Sequence, residues 1–177
     1  MKIIIFEGLD CTGKSTSIEK LNEQFLKEGK STRTIHVSGK DSNTYEWYLS
    51  LYQKAVKDNI DILIFDRWAI GEFVYGLAYR DCTRISFKDI MNLLDVGKIL
   101  GIDISYQCIM FKRVTHEMFD KYYDVLAKRD NEEIENREIN ILAKKLEQAT
   151  FISLLTAIRD TCQVNIMTSY FGDELND

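Results

Sequence analysis

The feature that most constrains this chain is a nine-residue segment between an apolar run and an amphipathic run. Residues 8–16 read Gly-Leu-Asp-Cys-Thr-Gly-Lys-Ser-Thr, which satisfies the pattern GxxxxGK[ST] in full. The residues before it, KIIIFE at 2–7, predict a central strand that is buried on both faces. The apolar spacing of Ser15–Lys27 predicts a helix that ends at Gly29. A strand, this loop and a helix, in that order, are the context that a phosphate-binding loop (P-loop) requires.

The residue types of this segment suit the binding of a nucleoside triphosphate. Gly8 and Gly13 let the backbone curl around phosphates with its N–H groups pointing inward. The helix that begins near Lys14 adds its N-terminal N–H groups and its dipole. Lys14 is predicted to reach the β- and γ-phosphates, and the Ser15 hydroxyl to bind Mg²⁺. With ATP and Mg²⁺ as cofactors, the predicted binding set is Gly8, Asp10, Cys11, Thr12, Gly13, Lys14, Ser15 and Thr16.

The rest of the 177-residue chain alternates predicted strands and helices. Further strands are predicted at 32–38, 60–65, 104–111 and 163–168, and helices at 44–57, 68–79, 87–100 and from the end of a charged stretch (112–137) to about 159. Alternating β and α units imply a parallel sheet with helices on both faces. We therefore predict an α/β, three-layer P-loop NTPase fold with a five-stranded parallel sheet, in a single domain over residues 1–177.

The composition of the chain limits the possible binding partners and the expected cellular compartment. Lys and Arg number 23 against 28 Asp and Glu, a net charge of −5, so no basic surface for duplex nucleic acid is expected. No apolar run approaches 18 residues, so no membrane span is predicted, and a strand that begins at Lys2 leaves no room for a cleavable signal. The four cysteines form no zinc pattern, and three lie in apolar or strand-like surroundings that predict buried free thiols. We expect a cytoplasmic protein.

Two segments resemble thymidylate kinases. FEGLDCTGKST at Phe6–Thr16 is similar to their opening FEGxDxxGKST, and FDRWAIGEFVYG at Phe65–Gly76 resembles their DR[YH] motif and its downstream tyrosine. The order of strand, charged stretch and helix near the C-terminus extends the resemblance over most of the chain, which also resembles compact phage-type nucleotide kinases. The resemblance implies a nucleoside monophosphate kinase and, since a homodimer is usual in that family, a homodimer.

The resemblance also implies roles for residues at matching positions. Asp10 matches the acidic loop residue that faces the acceptor sugar in the family. Asp66 would help to hold Mg²⁺ through water, and Arg67 would grip the phosphate of the acceptor with its planar fork. Asp66 also ends a predicted strand, where open α/β sheets place their ligand-binding groups. Tyr75 matches the tyrosine near the acceptor nucleoside.

Spacing adds further candidates on the same segment. Gly71 and Tyr75 follow Arg67 by four and eight residues, so on a helix they share its face. Glu72 is a candidate for the metal site and Arg80 for the acceptor phosphate, with solvated helix charges as the alternative for both. Four aromatic residues are candidates for stacking on the base of the acceptor: Trp47, Tyr48, Tyr52 and Trp68. We expect one of them to meet the base and the others to belong to the core.

The charged stretch at 112–137 is the expected lid and the source of a catalytic cation. Phosphoryl transfer spreads negative charge over the migrating group, so cations must close over it and exclude water. In the resembling family the catalytic arginine lies either in the P-loop or in the lid, and the P-loop position is Cys11 here. Arg129 is therefore the first candidate, before Arg113 and Arg137. The alternative is a solvated helical face with Glu–Lys/Arg pairs.

The segment after the second strand leaves the acceptor group open. A sugar hydroxyl benefits from a general base, whereas a phosphate oxygen is already anionic. Nucleoside kinases place an acidic residue here and thymidylate kinases an Arg-Glu-Pro motif, but this proline-free chain has HVSGKD at 36–41. Lys40 would bind an acceptor phosphate, and Asp41 would serve as a base. The glutamine that the family places after Tyr75 is replaced by Gly76.

These observations predict ATP-dependent, Mg²⁺-assisted phosphoryl transfer to a (deoxy)nucleoside monophosphate, with dTMP or a related pyrimidine nucleotide as the first acceptor. The alternatives are a deoxynucleoside kinase, a kinase of a modified nucleotide or nucleic-acid hydroxyl, and a non-catalytic nucleotide-binding switch module. The predicted catalytic residues are Lys14, Asp66, Arg67 and Arg129; the substrate-binding residues are Asp10, Lys40, Arg67, Gly71, Glu72, Tyr75 and Arg80; and the metal-binding residues are Ser15 and Asp66.

Overall fold

The computed structural model describes residues 1–9, 12–39, 41–80, 82–111, 137–162 and 164–171. Most of the predicted lid, residues 112–136, lies outside these ranges. The described elements follow one another in the predicted alternation. They are β1 (Lys2–Glu7), α1 (Lys14–Lys27), β2 (Thr32–His36), α2 (Tyr45–Lys57), β3 (Ile62–Asp66), α3 (Ala69–Tyr79), α4 (Phe87–Ile99), β4 (Asp103–Phe111), α5 (Arg137–Cys162) and β5 (Asn165–Phe171).

The strands form one parallel sheet in the order β2-β3-β1-β4-β5. The strand β1 lies at its centre, where Ile4 pairs with Ile64 of β3 on one side and with Ser105 of β4 on the other. A central strand is covered on both faces, which explains the continuous apolar run of β1. The predicted five-stranded parallel sheet is therefore confirmed.

Among the described helices, α1 lies on one face of the sheet and the other four lie on the opposite face. The side chains of Ile4, Phe6 and Ile64 pack with Ile18 of α1 in a small cluster. The larger core joins the opposite face of the same strands to α2, α3, α4 and α5. This unequal division follows from right-handed crossovers, because the chain moves across the sheet in one direction through α1 and in the other through the later helices.

Local hydrogen bonds explain where element boundaries differ from those predicted. Thr44 is the N-cap of α2, since its side chain accepts from the N–H of Trp47. The strand β3 begins two residues later than predicted because the N–H of Ile60 still donates to Ala55 at the end of α2. At the end of the described chain, α5 continues to Cys162 and β5 begins only at Asn165.

The buried cysteines and aromatic residues define what is core and what is surface. The prediction of buried free thiols is confirmed at Cys108 and Cys162, whereas Cys82, in the loop after α3, is free but exposed. Tyr48 and Tyr52 lie wholly inside the core, and burial raises the pKa of both phenols.

None of the helices described is both long and apolar enough to cross a membrane.

The topology determines where a ligand would bind. From β1 the chain crosses to β2 at one edge of the sheet, and from β3 it crosses to β4 on the other side. Connections that leave neighbouring strands in opposite directions open a crevice outside their carboxyl ends. This crevice lies between the segment after Glu7 and the segment after Asp66, which the sequence analysis singled out.

The packing of α5 against α3 leads to a testable prediction. Phe151 of α5 is fully buried and meets the ring of Tyr75 edge-on, with ring centroids 6.0 Å apart. We expect Phe151→Ala to lower the free energy of unfolding by about 3–5 kcal/mol, measured by urea denaturation. Its neighbour Ile152 is largely exposed, so Ile152→Ala should cost less than about 1 kcal/mol. Equal losses in the two variants would contradict this placement of α5.

Candidate active site

The P-loop begins where β1 ends, and its first glycine is required by close packing. Gly8 has φ 131°, and a Cβ there would overlap the carbonyl oxygen of Ile109 in β4. Lys14 folds back over the loop, where its Nζ donates to the carbonyl oxygens of Gly8 (3.0 Å) and Leu9. The Thr12 hydroxyl donates to the same Leu9 carbonyl at 2.8 Å. The lysine and threonine side chains therefore hold the described part of the loop in a closed curve.

The N-terminus of α1 presents an electropositive end to this curve. Its N-cap is Gly13, with φ 83°, which has no side chain to accept a hydrogen bond from the first turn. The first turn also holds no acidic residue that would neutralise the helix dipole. Ser15 and Thr16 are exposed there, within the first turn of the helix. Such an uncapped helix start suits a bound phosphate.

Asp66 at the end of β3 lies beside the residues that precede the P-loop, since it pairs with Phe6 of β1. Its Oδ2 is 2.8 Å from Nδ1 of His36, at the end of β2. Its Oδ1 is buried and has no hydrogen-bond partner among the described residues. His36 was not predicted as a site residue, because its proximity to Asp66 depends on the pairing of β2 with β3.

Arg67 occupies a strained turn between β3 and α3. Its φ of 72° lies in the left-handed region, which costs a non-glycine residue about 1–2 kcal/mol. Its backbone N–H donates to the carbonyl oxygen of Phe6 at 2.9 Å, and its guanidinium carbon lies 5.8 Å from the ring centroid of Tyr75. Strain of this kind persists where the surrounding structure fixes the residue, and it occurs often at functional sites.

Arg67 lines a cavity of about 320 Å³ beside the P-loop. Every described residue that the sequence analysis predicted to bind substrate contributes to this cavity: Arg67, Gly71, Glu72, Tyr75 and Arg80. Its remaining walls come from Val37, Ser38, Gly39, Asn43, Trp68, Tyr79 and Arg84. Three arginines and one glutamate give the lining a net charge of +2, although the whole chain carries −5.

Glu72 is buried and fully occupied by neighbours. Its Oε1 forms an ion pair with Nη2 of Arg80 at 2.7 Å and accepts from the N–H of Arg84 at 3.4 Å. Its Oε2 accepts from Nδ2 of Asn43 at 3.2 Å. The carboxylate thus compensates the charge of Arg80 and ties three segments of the cavity wall together.

Arg84 is a cavity residue that the sequence analysis missed. Its Nη1 donates to the carbonyl oxygens of Gly39 and Asp41, both at 2.9 Å, and so braces the loop after β2. That loop is also closed by Asp41, whose Oδ2 accepts from the backbone N–H and the hydroxyl of Ser38. Arg84 lies in an irregular segment between α3 and α4, so no periodicity in the sequence places it near the other arginines.

The segment that carries Arg84 packs directly on α3 at Gly76. A Cβ at this position would stand 2.6 Å from the carbonyl oxygen of Cys82. A glutamine, which the resembling family has here, would displace that segment. The structure therefore gives a steric reason for the glycine.

Stacked tyrosines form one wall of the cavity. The rings of Tyr75 and Tyr79 lie 6.1 Å apart and nearly parallel. Lys144 of α5 lies 5.3 Å from the Tyr79 ring centroid, and Glu147 accepts from both the Tyr79 hydroxyl (2.8 Å) and Lys144 (2.7 Å). One of four aromatic residues was predicted to meet a base; among them only Trp68 lines the cavity, and its side chain is fully buried.

Glu7 connects the P-loop to the cavity and was not predicted as a site residue. It is the last residue of β1 and is completely buried. Its Oε1 accepts from the backbone N–H groups of Trp68 (2.9 Å) and Gly71 (3.0 Å). Burial raises the pKa of Glu7 to about 8, although these two hydrogen bonds and the nearby charges of Lys14 and Arg67 act in the opposite direction.

Several predicted residues lie outside the described ranges. They are Asp10 and Cys11 in the P-loop, Lys40 in the loop after β2, and Arg113 and Arg129 in the predicted lid. Their roles stay predictions. The same holds for Arg137, which begins α5.

The buried carboxyl group of Glu7 predicts a pH dependence of stability. Between its unfolded pKa of 4.5 and its folded pKa of about 8, the folded protein holds a proton that the unfolded chain has released. Stability should therefore fall as the pH rises through this range and level off above it. Because Glu7→Gln cannot titrate, its stability should rise relative to the wild type over the range, by at most about 1.4 kcal/mol per pH unit in urea unfolding.

The exposed Glu23 of α1 provides the control for this measurement. The difference between Glu23→Gln and the wild type should be nearly independent of pH. A pH-independent difference for Glu7→Gln as well would contradict the raised pKa.

Comparison with known proteins shows the fold of the chain. No protein-family model and no curated protein sequence matches it. The YorR protein from Bacillus subtilis, solved in complex with phosphorylated GDP, matches with a TM-score of 0.66 and 16% identity over 97% of this chain and 86% of that chain. A protein assigned as a polyphosphate kinase 2 from Pseudomonas aeruginosa matches with a TM-score of 0.63 and 13% identity over 98% of this chain, which spans only 38% of that protein.

A thymidylate kinase from Ehrlichia chaffeensis also matches, with 16% identity over 99% of this chain and 92% of its own, but its TM-score of 0.42 is too low to support an argument. At such identities the likeness concerns the fold alone. The predicted fold class is confirmed: the chain has the α/β fold of P-loop NTPases. The resemblance found in the sequence agrees with this fold.

Proposed function

We propose that this protein is a nucleoside monophosphate kinase that transfers the γ-phosphoryl group of ATP to an acceptor held in the arginine-lined cavity. The observation that carries the proposal is the cavity charge of +2, beside a P-loop, in a chain of net charge −5. A cationic pocket is suited to an anionic acceptor. An acceptor bound there, at the carboxyl ends of β1 and β3, would lie next to a triphosphate on the loop.

On the donor side, the P-loop and the start of α1 would bind the phosphates of ATP. Lys14 now donates to loop carbonyls, and a bound triphosphate would offer it anionic oxygens in their place. Asp10, Cys11, Thr12 and Thr16 complete the proposed loop contacts.

Oxygen ligands for Mg²⁺ are available at the same place. The Ser15 hydroxyl is exposed in the first turn of α1, and Oδ1 of Asp66 is a buried oxygen with no partner among the described residues. Hydroxyl and carboxylate oxygens are the ligands that Mg²⁺ prefers, so these two residues fit the ion. When bound, Mg²⁺ would neutralise charge on the phosphates of the donor. The orientation of Asp66 comes from His36, which holds the other carboxylate oxygen.

On the acceptor side, the pocket favours a phosphate over a hydroxyl group. Arg67 presents a planar fork that can bind two phosphate oxygens, and Arg80 and Arg84 line the same space. Asp41, the candidate base for a hydroxyl acceptor, does not line the cavity, and one of its oxygens is held by Ser38. Lys40 would add a further cation from the same loop.

The aromatic side of the cavity would receive the base of the acceptor. Tyr75 and Tyr79 provide ring surfaces, whereas Trp68 lines the cavity but is fully buried, and no glutamine stands at position 76 to read the edge of a base. We propose dTMP and related pyrimidine deoxynucleotides as the first acceptors. Purine nucleotides belong in the same test because YorR was solved with a phosphorylated guanine nucleotide. Asp10 would face the sugar, and Arg129 would supply the cation that closes over the migrating phosphoryl group.

A coupled assay of ADP release over a panel of acceptors tests the proposed function. The panel contains dTMP, dUMP, dCMP, dAMP and dGMP together with the matching nucleosides. We expect acceptor-dependent ADP release with at least one monophosphate and none with nucleosides. Release with nucleosides alone would contradict the proposal in favour of a nucleoside kinase. The absence of acceptor-dependent release across the whole panel would contradict it in favour of a switch module. In parallel, Lys14→Ala should lower turnover at least about a hundredfold, while the exposed Lys20→Ala on α1 should not.

Substitution of Arg67 tests the acceptor site separately. Loss of a charged hydrogen bond should raise the KM for the acceptor about 10- to 100-fold in Arg67→Ala, while the KM for ATP changes little. Arg67→Lys has the same backbone strain and keeps the charge but not the planar fork, so it should lie between Ala and the wild type. Arg33→Ala, in an ion pair with Asp58 away from the cavity, is the control. Equal effects on both KM values would contradict the assignment.

A further inference from the structure

The start of α3, which carries the acceptor site, lacks a capping side chain of its own. Its N-cap position is Trp68, whose side chain makes no capping hydrogen bond. Helix starts normally need acceptors for their first N–H groups, and these groups are buried here. In a capping box, one side chain accepts from the N3 backbone N–H and another accepts from the N–H of the N-cap residue.

Glu7, at the end of the neighbouring strand β1, performs both of these tasks. A single oxygen, Oε1, accepts from the N-cap residue Trp68 at 2.9 Å and from the N3 residue Gly71 at 3.0 Å. The absence of a side chain at Gly71 makes room for this contact, because a Cβ would stand 3.1 Å from Oε2, closer than an ordinary van der Waals contact. The carboxyl group is therefore packed against the first turn of α3 as well as bonded to it.

The turn that holds Arg67 is thus hydrogen-bonded to β1 through two consecutive backbone N–H groups. The N–H of Arg67 donates to the carbonyl oxygen of Phe6, and the next N–H, of Trp68, donates to Glu7. Gly8, which follows Glu7 directly, is the first residue of the P-loop. Two consecutive residues of β1 therefore fix the Arg67 turn relative to the phosphate donor loop.

We infer that Glu7 is a positioning residue, which sets the distance and angle between the acceptor-binding Arg67 turn and the P-loop. This inference rests on the proposed function. In-line transfer needs the acceptor oxygen and the γ-phosphorus in near-attack geometry, and a small displacement of either is costly. Since Glu7 does not line the cavity, it acts through the backbone of α3.

Kinetics of Glu7 variants test the inference. Glu7→Ala removes the acceptor atom for both N–H groups, so kcat/KM for the acceptor should fall at least about tenfold, with a lower kcat and a higher acceptor KM. The dissociation constant for ATP, measured without acceptor, should change less than about threefold, because the donor loop keeps its own hydrogen bonds. Glu7→Gln keeps the accepting oxygen and should restore kcat/KM to within about threefold of the wild type.

Two further variants separate positioning from general damage. Ser86→Ala removes the N-cap of α4, a comparable loss at a helix that does not form the cavity floor, and should leave both kinetic constants unchanged. Gly71→Ala presses on the Glu7 carboxyl group from the opposite side, and should reproduce the selective acceptor defect in a smaller form. If Glu7→Ala fails to fold, the acceptor kinetics of Gly71→Ala test the inference in its place.

The outcomes distinguish this inference from the proposed function. A wild type with no acceptor-dependent turnover would contradict the function itself. An active wild type together with unchanged acceptor kinetics in Glu7→Ala, or in Gly71→Ala where that variant decides, would overturn the role of Glu7. An equal loss of ATP binding and acceptor use, with no rescue by glutamine, would also overturn it.

Discussion

The parallel pairing of β1 with β3 is the interaction on which the rest of this structure depends. It sets Phe6 opposite Asp66, so the segments that leave both strands begin at the same edge of the sheet. One segment becomes the P-loop and the other becomes the Arg67 turn. Parallel strands with helical crossovers end together by construction, so donor and acceptor sites become neighbours without any loop reaching across the molecule. The topology of the sheet therefore determines where the site lies, and the side chains determine its chemistry.

The net charge of the cavity lining is opposite in sign to that of the whole chain. The chain is acidic, but the cavity beside the P-loop gathers three arginines and neutralises only one of them, through the buried Glu72. A second buried carboxyl group, Glu7, lies beneath the cavity and has a raised pKa, so it contributes less negative charge than an exposed glutamate would near neutral pH. The uncompensated arginines and the raised pKa of Glu7 both favour a positive potential where an anion would bind.

The sequence predicted those parts that depend on local pattern. The periodicity of β1 and α1, with the glycines and lysine between them, sufficed for the P-loop, and strand-helix alternation sufficed for the sheet. Arg67, Gly71 and Tyr75 were predicted on one face, and all three line the cavity. Arg84 and Glu7 were missed for a common reason, since each acts on a segment that only tertiary packing brings near. No spacing rule relates Glu7 to Trp68, or an irregular loop to α3.

The capping of α3 by Glu7 also has a consequence for how the chain folds. Its two hydrogen bonds join residues 61 and 64 positions apart, so the side-chain cap of this helix comes from a distant part of the chain and not from Trp68 at its own N-cap. The cap can form only where β1 lies beside β3, so it depends on the same closure of a long loop as the pairing of the two strands. The acceptor pocket and the central sheet therefore belong to one cooperative unit. A partly unfolded chain that has lost β1 would lose the pocket with it, instead of keeping a half-formed site.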